Sequence, residues 1–488
     1  MIQWPLATTF AAYLVGILWL GIRAYRRTHD ISDYLLGGRR LGAVVTALSV
    51  GASDMSGWLL LGLPGAVYVS GLQESWIGIG LVVGAYVNWL LVARRLRVFS
   101  QHAANSLTLP DYLENRFRDR SRVLRCLSAV VILLFFVFYT ASGLVSGAIL
   151  FESSFNLDYT VALLIGSLII VSYTFVGGFL AVAWTDAIQA GLMAIALVVT
   201  PVAVFSSLGG VSMALDQVAA INPDAIDFVA NIGGLGLVSL VAWGLGYAGQ
   251  PHILTRFMAI EDPNKLPHAR RIAMAWMVFM LAGSVATGFA GLAYFSANPL
   301  VNPETVFINL SQVLFNPWVA GVITAAILSA IMSTIDSQLL VCSSVLSEDF
   351  YRPFIKPSAT DRELVLVSRV AVIAVALVAL LIATNRESRV LDLVSYAWAG
   401  FGAAFGPVIL FSLFLRTMTG LAAIAGMFGG AITVVAWSSM SGGLFDLYEI
   451  VPGFFVASVL ILLLSFFRPE TKTEVLSQFD SAKALVNH

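Results

Sequence analysis

The sequence predicts an all-α polytopic membrane protein, and three observations support this class. Of the 488 residues, 59% are hydrophobic and only 11% are charged, and the mean hydropathy is +0.88. That is far more apolar surface than a soluble core could bury. The apolar residues also recur in windows of about 18 to 25 residues, the length that an α-helix needs to cross a bilayer.

Thirteen such windows follow one another, so about 13 transmembrane helices are expected. The windows cover residues 5–22, 41–67, 73–93, 124–150, 158–180, 187–207, 232–252, 272–296, 314–346, 366–384, 391–415, 419–439 and 449–467. The hydrophilic stretches between them are too short to form separate domains. Residues 1–488 are therefore expected to form a single transmembrane domain.

The distribution of basic residues predicts the orientation of the helices. All but two of the 27 Lys and Arg residues fall at one set of alternate loops and ends, the exceptions being Arg386 and Arg389. Cytoplasmic loops of membrane proteins are enriched in Lys and Arg, so this set is expected to be cytoplasmic, with the N-terminus outside and the C-terminus inside. No Arg or Lys is then expected at membrane depth, which disfavours multiply charged anions as substrates.

Asp54 is the most informative single residue, because it lies inside the apolar window 41–67. A carboxylate at bilayer depth costs about 2.5 to 3.5 kcal/mol, so such residues generally serve a function. The neighbouring Gly51, Ser56 and Gly57 favour a break in the helix, since small and polar residues weaken regular helical structure. Irregular backbone at this depth is stable only beside a cavity, so a binding site is predicted here.

A second break is predicted in the window 232–252. Its segment 242–251 contains three glycines and ends in a proline. The two breaks occupy corresponding positions if residues 41–207 and 232–415 form two inverted five-helix repeats, with 1–40 and 416–488 peripheral. Broken helices that meet near the membrane midplane are typical of secondary transporters. Taken alone, the second break could also be a glycine-rich packing face.

The ninth window carries a cluster of polar residues. Ser329, Ser333, Asp336 and Ser337 are spaced to share one helical face, and Thr334 lies beside them. A small hard cation prefers five or six oxygen ligands, which hydroxyls and freed backbone carbonyls can supply. The cluster therefore favours a polar-lined cation site, although any single hydroxyl here could simply bond to the preceding turn of its helix.

Asp186 opens the sixth window near the cytoplasmic side, and two interpretations stay open. It could cap the helix, or it could relay a cation toward the cytoplasm. No phosphate loop, Ser-His-Asp arrangement or HExxH string stands out, so the chain is not expected to be an enzyme. No nucleic-acid partner and no obligatory protein partner is expected either.

Six strings closely resemble the solute:sodium symporter family, and the likeness runs from about residue 8 to about residue 467. The strings are YLLGGR from Tyr34, GASDMSGW from Gly51, LPDY from Leu109, GLGYAGQPH from Gly244, MSTIDSQL from Met332 and SYAWAGFGAAFGP from Ser395. The resemblance implies the leucine-transporter fold, with spans 2 to 11 as the core. It also implies a multi-pass protein of the bacterial plasma (inner) membrane.

In that family, backbone oxygens of the first broken helix and hydroxyls of the ninth span hold a sodium ion. The resemblance assigns these ligands to Ala52, Met55, Ala330, Ser333 and Thr334. It also implies that a second group of residues couples sodium to transport, namely Asp54, Ser56, Gly57, Asp186, Asp336 and Arg39. For Arg39, an ordinary positive charge on a cytoplasmic loop is the alternative.

The resemblance further places the substrate site at Trp58, Tyr139, Trp243, Tyr247 and Pro251. Beside the two breaks, aromatic faces suit an apolar ring, while free backbone groups can bind the charges of a zwitterion. The likeness is to family members that carry proline, which implies import of L-proline coupled to sodium by alternating access.

Asp336 departs from the pattern of some proline carriers, which have a small hydroxyl residue there. It could add a ligand, alter proton competition or bond within its helix. Three other functions stay open: a sodium-coupled symporter for another small neutral solute, a channel and a membrane-embedded sensor. The closed, polar-lined breaks disfavour a continuous pore, and the twenty residues after Arg468 leave no room for a kinase domain.

Overall fold

The computed structural model describes residues 4–25, 31–176, 178–230 and 232–487, which fold into a bundle of helices. Within these residues, ten helices are long and apolar enough to cross a membrane, by length and composition. The predicted spans outside this group are the window 158–180 and the windows 41–67 and 232–252, whose breaks shorten their helices. The all-α class is confirmed, and the count of thirteen spans stays a prediction.

The helices of the first half follow the predicted windows closely. They are α1 (Trp4–Tyr25), α2 (Ile31–Leu36), α3 (Ala43–Asp54), α4 (Leu63–Ser70), α5 (Ser75–Asn88), α6 (Arg94–His102), α7 (Leu109–Phe117), α8 (Val123–Phe155), α9 (Tyr159–Val176), α10 (Phe179–Ser207) and α11 (Val211–Ile221).

The second half continues the bundle. Its helices are α12 (Gly234–Val241), α13 (Pro251–Ala259), α14 (Leu266–Tyr294), α15 (Val306–Leu314), α16 (Pro317–Ser344), α17 (Asp361–Ala383), α18 (Val390–Phe414), α19 (Gly420–Trp437), α20 (Ile450–Phe467) and α21 (Thr473–Asn487).

Both predicted helix breaks are confirmed. α3 ends at Asp54, and Met55 has the non-helical dihedral angles φ −87° and ψ 82°. A π-helical turn, Trp58–Gly62, then leads into α4. In the second break, a 3-10 helix, Ala242–Gly249, follows α12, and Pro251 opens α13 at a position where the missing N–H of proline costs no hydrogen bond.

The packing of the bundle places the first break against α16. α3 contacts α10, α14 and α16, while α16 also packs on α1 and α8. α18 covers the second break, because it packs against the 3-10 helix Ala242–Gly249. The segment before α3 is joined to the end of α13 as well, since the N–H of Leu41 donates to the carbonyl of Ala259 (3.2 Å) and the N–H of Glu261 donates to that of Leu41 (3.0 Å).

α21 was not among the predicted helices. It packs on α6 and α7, with the ring of Phe479 5.4 Å from the ring of Phe99. Arg416 donates two hydrogen bonds, of 2.8 and 2.9 Å, to the carboxylate of Asp480, and these bonds lower the pKa of that carboxyl below its usual value. An exposed ion pair contributes little to stability, so the buried Phe479 is the main attachment of α21 to the bundle.

Candidate functional site

The predicted sodium ligands meet where the first break faces α16. The hydroxyls of Ser333 and Thr334 donate to the carbonyl oxygen of Ala52, at 2.8 and 3.3 Å. The Ser333 hydroxyl also lies 3.0 Å from the carbonyl oxygen of Ala330. Met55 is the non-helical residue of the same break. All five residues are at most 1% exposed, so α16 and the break form one buried cluster of oxygen atoms.

The chemistry of this cluster fits a sodium ion. Its oxygens belong to hydroxyls and backbone carbonyls, which are hard ligands without a formal charge, as suits a monovalent cation. Among the residues that the structure describes, no group of three or more His, Cys, Asp or Glu side chains is placed to hold a metal ion. The oxygen cluster is a candidate site for a small cation.

Asp54 connects the two broken helices. Its side chain is buried, and its Oδ2 atom accepts a 2.6 Å hydrogen bond from the hydroxyl of Tyr247, which lies in the second break. Its backbone carbonyl accepts bonds from Trp58 Nε1 (2.9 Å) and from the Tyr139 hydroxyl (3.2 Å). One residue of the first break thus contacts three of the aromatic residues that the sequence assigned to substrate.

Ser56 and Gly57 shape the first break. The Ser56 hydroxyl accepts a 3.4 Å bond from the N–H of Trp58. A Cβ atom at position 57 would lie 2.3 Å from the hydroxyl oxygen of Ser146, so only glycine allows the break to approach α8 this closely. Ser56 and Gly57 therefore shape the backbone that leads from the first break to Trp58.

The predicted substrate aromatics cluster beside the second break. The rings of Trp58 and Trp243 lie 6.4 Å apart, and both side chains, like those of Tyr139 and Tyr247, are at most 5% exposed. Pro251 lies one turn further on and lines a narrow cavity together with Arg256 and Ser337. The four aromatic residues therefore form one group, and Pro251 lines a separate cavity.

The second break also packs closely on α5. A Cβ atom at Gly80 would lie 2.3 Å from the carbonyl oxygen of Val241, and one at Gly84 would lie 2.1 Å from that of Gly244. The backbones therefore touch without intervening side chains. One turn beyond Gly84, Asn88 Nδ2 donates a 3.1 Å bond to the Tyr247 carbonyl.

Asp186 does not open a helix, because α10 begins seven residues earlier, at Phe179. Its Oδ2 atom accepts bonds from Ser49 (2.6 Å) and Arg256 (2.9 Å). Arg256 also donates to the Ser337 hydroxyl (2.5 Å) and to the carbonyl of His252 (2.7 Å). All three guanidinium nitrogens of Arg256 donate hydrogen bonds, whereas Asp186 Oδ1 has no hydrogen-bond partner among the described residues. The N-cap interpretation of Asp186 is therefore wrong.

Arg256 was counted among the basic residues of loops and ends, and this loop placement is wrong, since Arg256 lies in α13 and is only 1% exposed. Its spacing gave a signal that was missed. Arg256 follows His252 by four residues in a short helix that starts at a proline. It therefore lies on the same helical face as His252, close to the second break. Because Arg256 was counted as a surface charge, its position inside the bundle was not predicted.

The polar residues of α16 do not act as one face. Ser333 points to the first break, Ser337 accepts a bond from Arg256, and Asp336 accepts one from the Thr174 hydroxyl of α9. Ser329 bonds to the carbonyl of Ala326, in the preceding turn, and to the side chain of Tyr13 in α1. The expected single lined surface is therefore wrong, and Asp336 lies on the side of α16 that faces α9.

Arg39 ties the loop before α3 to neighbouring segments. Its guanidinium donates to the carbonyls of Met258 (2.5 Å) and Ser106 (2.8 Å) and to the side chain of Asn105 (3.0 Å). Burial, with Arg97 nearby, lowers the pKa of Arg39 to about 10, so the group still carries its charge at neutral pH. These contacts are more specific than those of an ordinary loop charge.

Comparisons with known proteins identify the family of this chain. Residues 34–430 match the model of the sodium:solute symporter family. The chain is 53% identical to the sodium/proline symporter of Salmonella typhimurium (99% of this chain and 97% of the relative). It is 52% identical to that of Escherichia coli K12, with the same coverage. It is 49% identical to the high-affinity proline transporter PutP of Bacillus subtilis (95% and 98%).

Solved structures show the same fold. A Na+-coupled sialic acid symporter in a substrate-bound, outward-open state superposes with a TM-score of 0.83 at 19% identity, over 96% of this chain and 99% of that one. The nucleobase-cation-symport-1 family transporter Mhp1 in a closed conformation gives 0.57 at 14% identity, over 93% and 99%. The predicted leucine-transporter fold is confirmed. The chain belongs to the sodium:solute symporter family.

Proposed function

We propose that this chain imports L-proline together with sodium by alternating access. The observation that carries the proposal is the bond between Asp54 and Tyr247, because it joins the oxygen cluster of the first break to the aromatic group of the second. A transporter that moves two solutes together needs two sites whose arrangements depend on each other. The names of the most similar relatives support proline as the solute.

The aromatic group suits proline in size and polarity. Trp58, Tyr139, Trp243 and Tyr247 offer ring faces to an apolar pyrrolidine, and the irregular backbone of the breaks offers polar groups to the ammonium and carboxylate. Arg256 is already paired with Asp186, so it is not a free partner for a multiply charged anion. A compact zwitterion with an apolar ring matches these conditions.

One sodium ion per cycle supplies enough energy. At about 150 mV, moving one positive charge inward contributes roughly 3.5 kcal/mol. A tenfold sodium gradient adds about 1.4 kcal/mol. Their sum, about 5 kcal/mol, supports accumulation of a neutral solute by roughly three orders of magnitude. A ratio of one sodium to one proline is therefore sufficient.

Uptake of radiolabelled proline into proteoliposomes tests this function. We expect accumulation above the outside concentration when sodium is imposed outside, because the inward gradient is then the only energy source. Replacing external sodium by choline is the control and should abolish accumulation. Sodium-independent uptake would contradict the proposal. Stronger competition by another small neutral solute, such as pantothenate, than by unlabelled proline would assign the chain to that solute instead.

We also propose that the N-terminus lies outside and the C-terminus in the cytoplasm, as the basic residues indicate. In a variant with Cys126 and Cys342 replaced, a cysteine at the exposed Thr160 should react with an impermeant maleimide added to intact cells. One at the exposed Asn264 should react only after the membrane is opened. The reverse labelling pattern would overturn this topology.

A further inference from the structure

Trp398 of α18 contacts the second break through hydrogen bonds and ring packing. Its side chain is 1% exposed, and its Nε1 atom donates a 2.7 Å hydrogen bond to the carbonyl of Trp243. In return, Gln250 Nε2 donates to the carbonyl of Trp398 at 3.3 Å. α18 and the break thus exchange two hydrogen bonds across one short contact.

The indole of Trp398 also touches both aromatic rings of that break. Its ring centre lies 5.1 Å from the ring of Tyr247, in a nearly perpendicular arrangement at 85°. It lies 6.5 Å from the ring of Trp243, tilted by 31°. Perpendicular and offset ring pairs are the favourable geometries of aromatic contacts, so these distances define orientation as well as packing.

Gly246 gives an independent sign that the indole has a fixed place. A Cβ atom at this position would lie 1.9 Å from Trp398 Nε1, far inside any allowed contact. The indole therefore fills the space that any side chain at 246 would need. Trp398 occupies this space while its N–H reaches the carbonyl three residues earlier, at Trp243.

We infer that Trp398 is a positioning residue for the substrate site, which it acts on through Trp243 and Tyr247. This role rests on the proposed function of the aromatic group. A 3-10 helix has weaker hydrogen bonds than an α-helix, so the segment Ala242–Gly249 needs outside contacts to keep one arrangement. When only a fraction of molecules has the binding arrangement, the apparent dissociation constant rises in inverse proportion to that fraction.

The first test is W398F, which keeps an aromatic ring and removes the N–H. We expect the dissociation constant of proline, measured by binding isotherms at saturating sodium, to rise about 5- to 20-fold, because the Trp243 carbonyl loses its buried donor. W437F is the matched control. Trp437 Nε1 likewise donates to a backbone carbonyl, that of Leu447 at 2.9 Å, but lies on the peripheral α19. Its proline affinity should stay within twofold of the wild type.

The second test is G246A, which keeps the indole of Trp398 but adds a methyl group in the space that the indole occupies. We expect it to raise the same dissociation constant at least as strongly, while the number of binding sites per folded molecule stays constant. A merely structural role would lower thermal stability or the number of sites and leave the dissociation constant unchanged.

Wild-type affinity in either variant, with the protein well folded, would overturn the positioning role and leave the proposed function intact. Failure of the wild-type protein to bind proline would overturn the proposed function, and this role with it.

Discussion

Replacing Ser333 and Thr334 together by alanine is expected to raise the sodium concentration for half-maximal proline uptake by roughly two orders of magnitude. Each hydroxyl lies within 3.3 Å of the Ala52 carbonyl, so both would face an ion bound at the first break. A bond to a charged group contributes about 1.5 to 3 kcal/mol, and a tenfold change in affinity corresponds to about 1.4 kcal/mol. Uptake measured over a range of external sodium checks this expectation.

The control for this experiment is S329A. Ser329 lies on the same helix and is equally buried, but its hydroxyl bonds to the carbonyl of Ala326 and to the side chain of Tyr13 rather than to the first break. Its sodium dependence should match the wild type. D54N should also raise the sodium requirement, since it removes the only negative charge in the break while keeping the size of the side chain. Unchanged sodium dependence in folded S333A/T334A protein would remove these hydroxyls from the site.

Replacing Trp243 by alanine is expected to lower proline affinity by roughly 30-fold or more. The side chain is 5% exposed, and its ring packs between those of Trp58 and Tyr448, at 6.4 and 5.4 Å. Loss of a fully desolvated aromatic anchor costs about 2 to 4 kcal/mol. The same loss is expected for Y139A, which also removes the bond to the Asp54 carbonyl. Binding isotherms at saturating sodium measure both effects.

W318A provides the comparison, because Trp318 is 54% exposed at the start of α16. Sodium binding should change less than proline binding in W243A, yet it should change, because two ligands that favour one arrangement affect each other's affinity equally. Glucose should not compete in any of these proteins. Affinity equal to the wild type in both W243A and Y139A would exclude the aromatic group as the solute site.

Local sequence features predicted the parts of the fold that depend on local physics. The breaks at Met55 and at Ala242–Gly249 follow from glycine, proline and small polar residues, which weaken a helix wherever they occur. The apolar windows followed from the thickness of the bilayer. The identity of the sodium and substrate residues came from resemblance, and the structure brings four of the five predicted substrate residues together.

What could not be predicted depends on which helix faces which. The pairing of Asp186 with Arg256 joins residues seventy positions apart, and no local pattern indicates it. Helical spacing placed Ser333, Asp336 and Ser337 on one side of α16. Other helices pack around α16, however, so each of these side chains contacts a different segment. α21 was missed because its attachment relies on Phe479 packing onto α6, a surface known only after folding.

The contact of Gly80 and Gly84 with the second break has a mechanical consequence. Where two backbones meet without side chains, one segment can slide along the other without a change of side-chain rotamers and without separating interlocked side chains. The contact resists separation through close van der Waals approach, but it resists sliding only weakly. We therefore expect low internal friction when residues 242–249 move along α5.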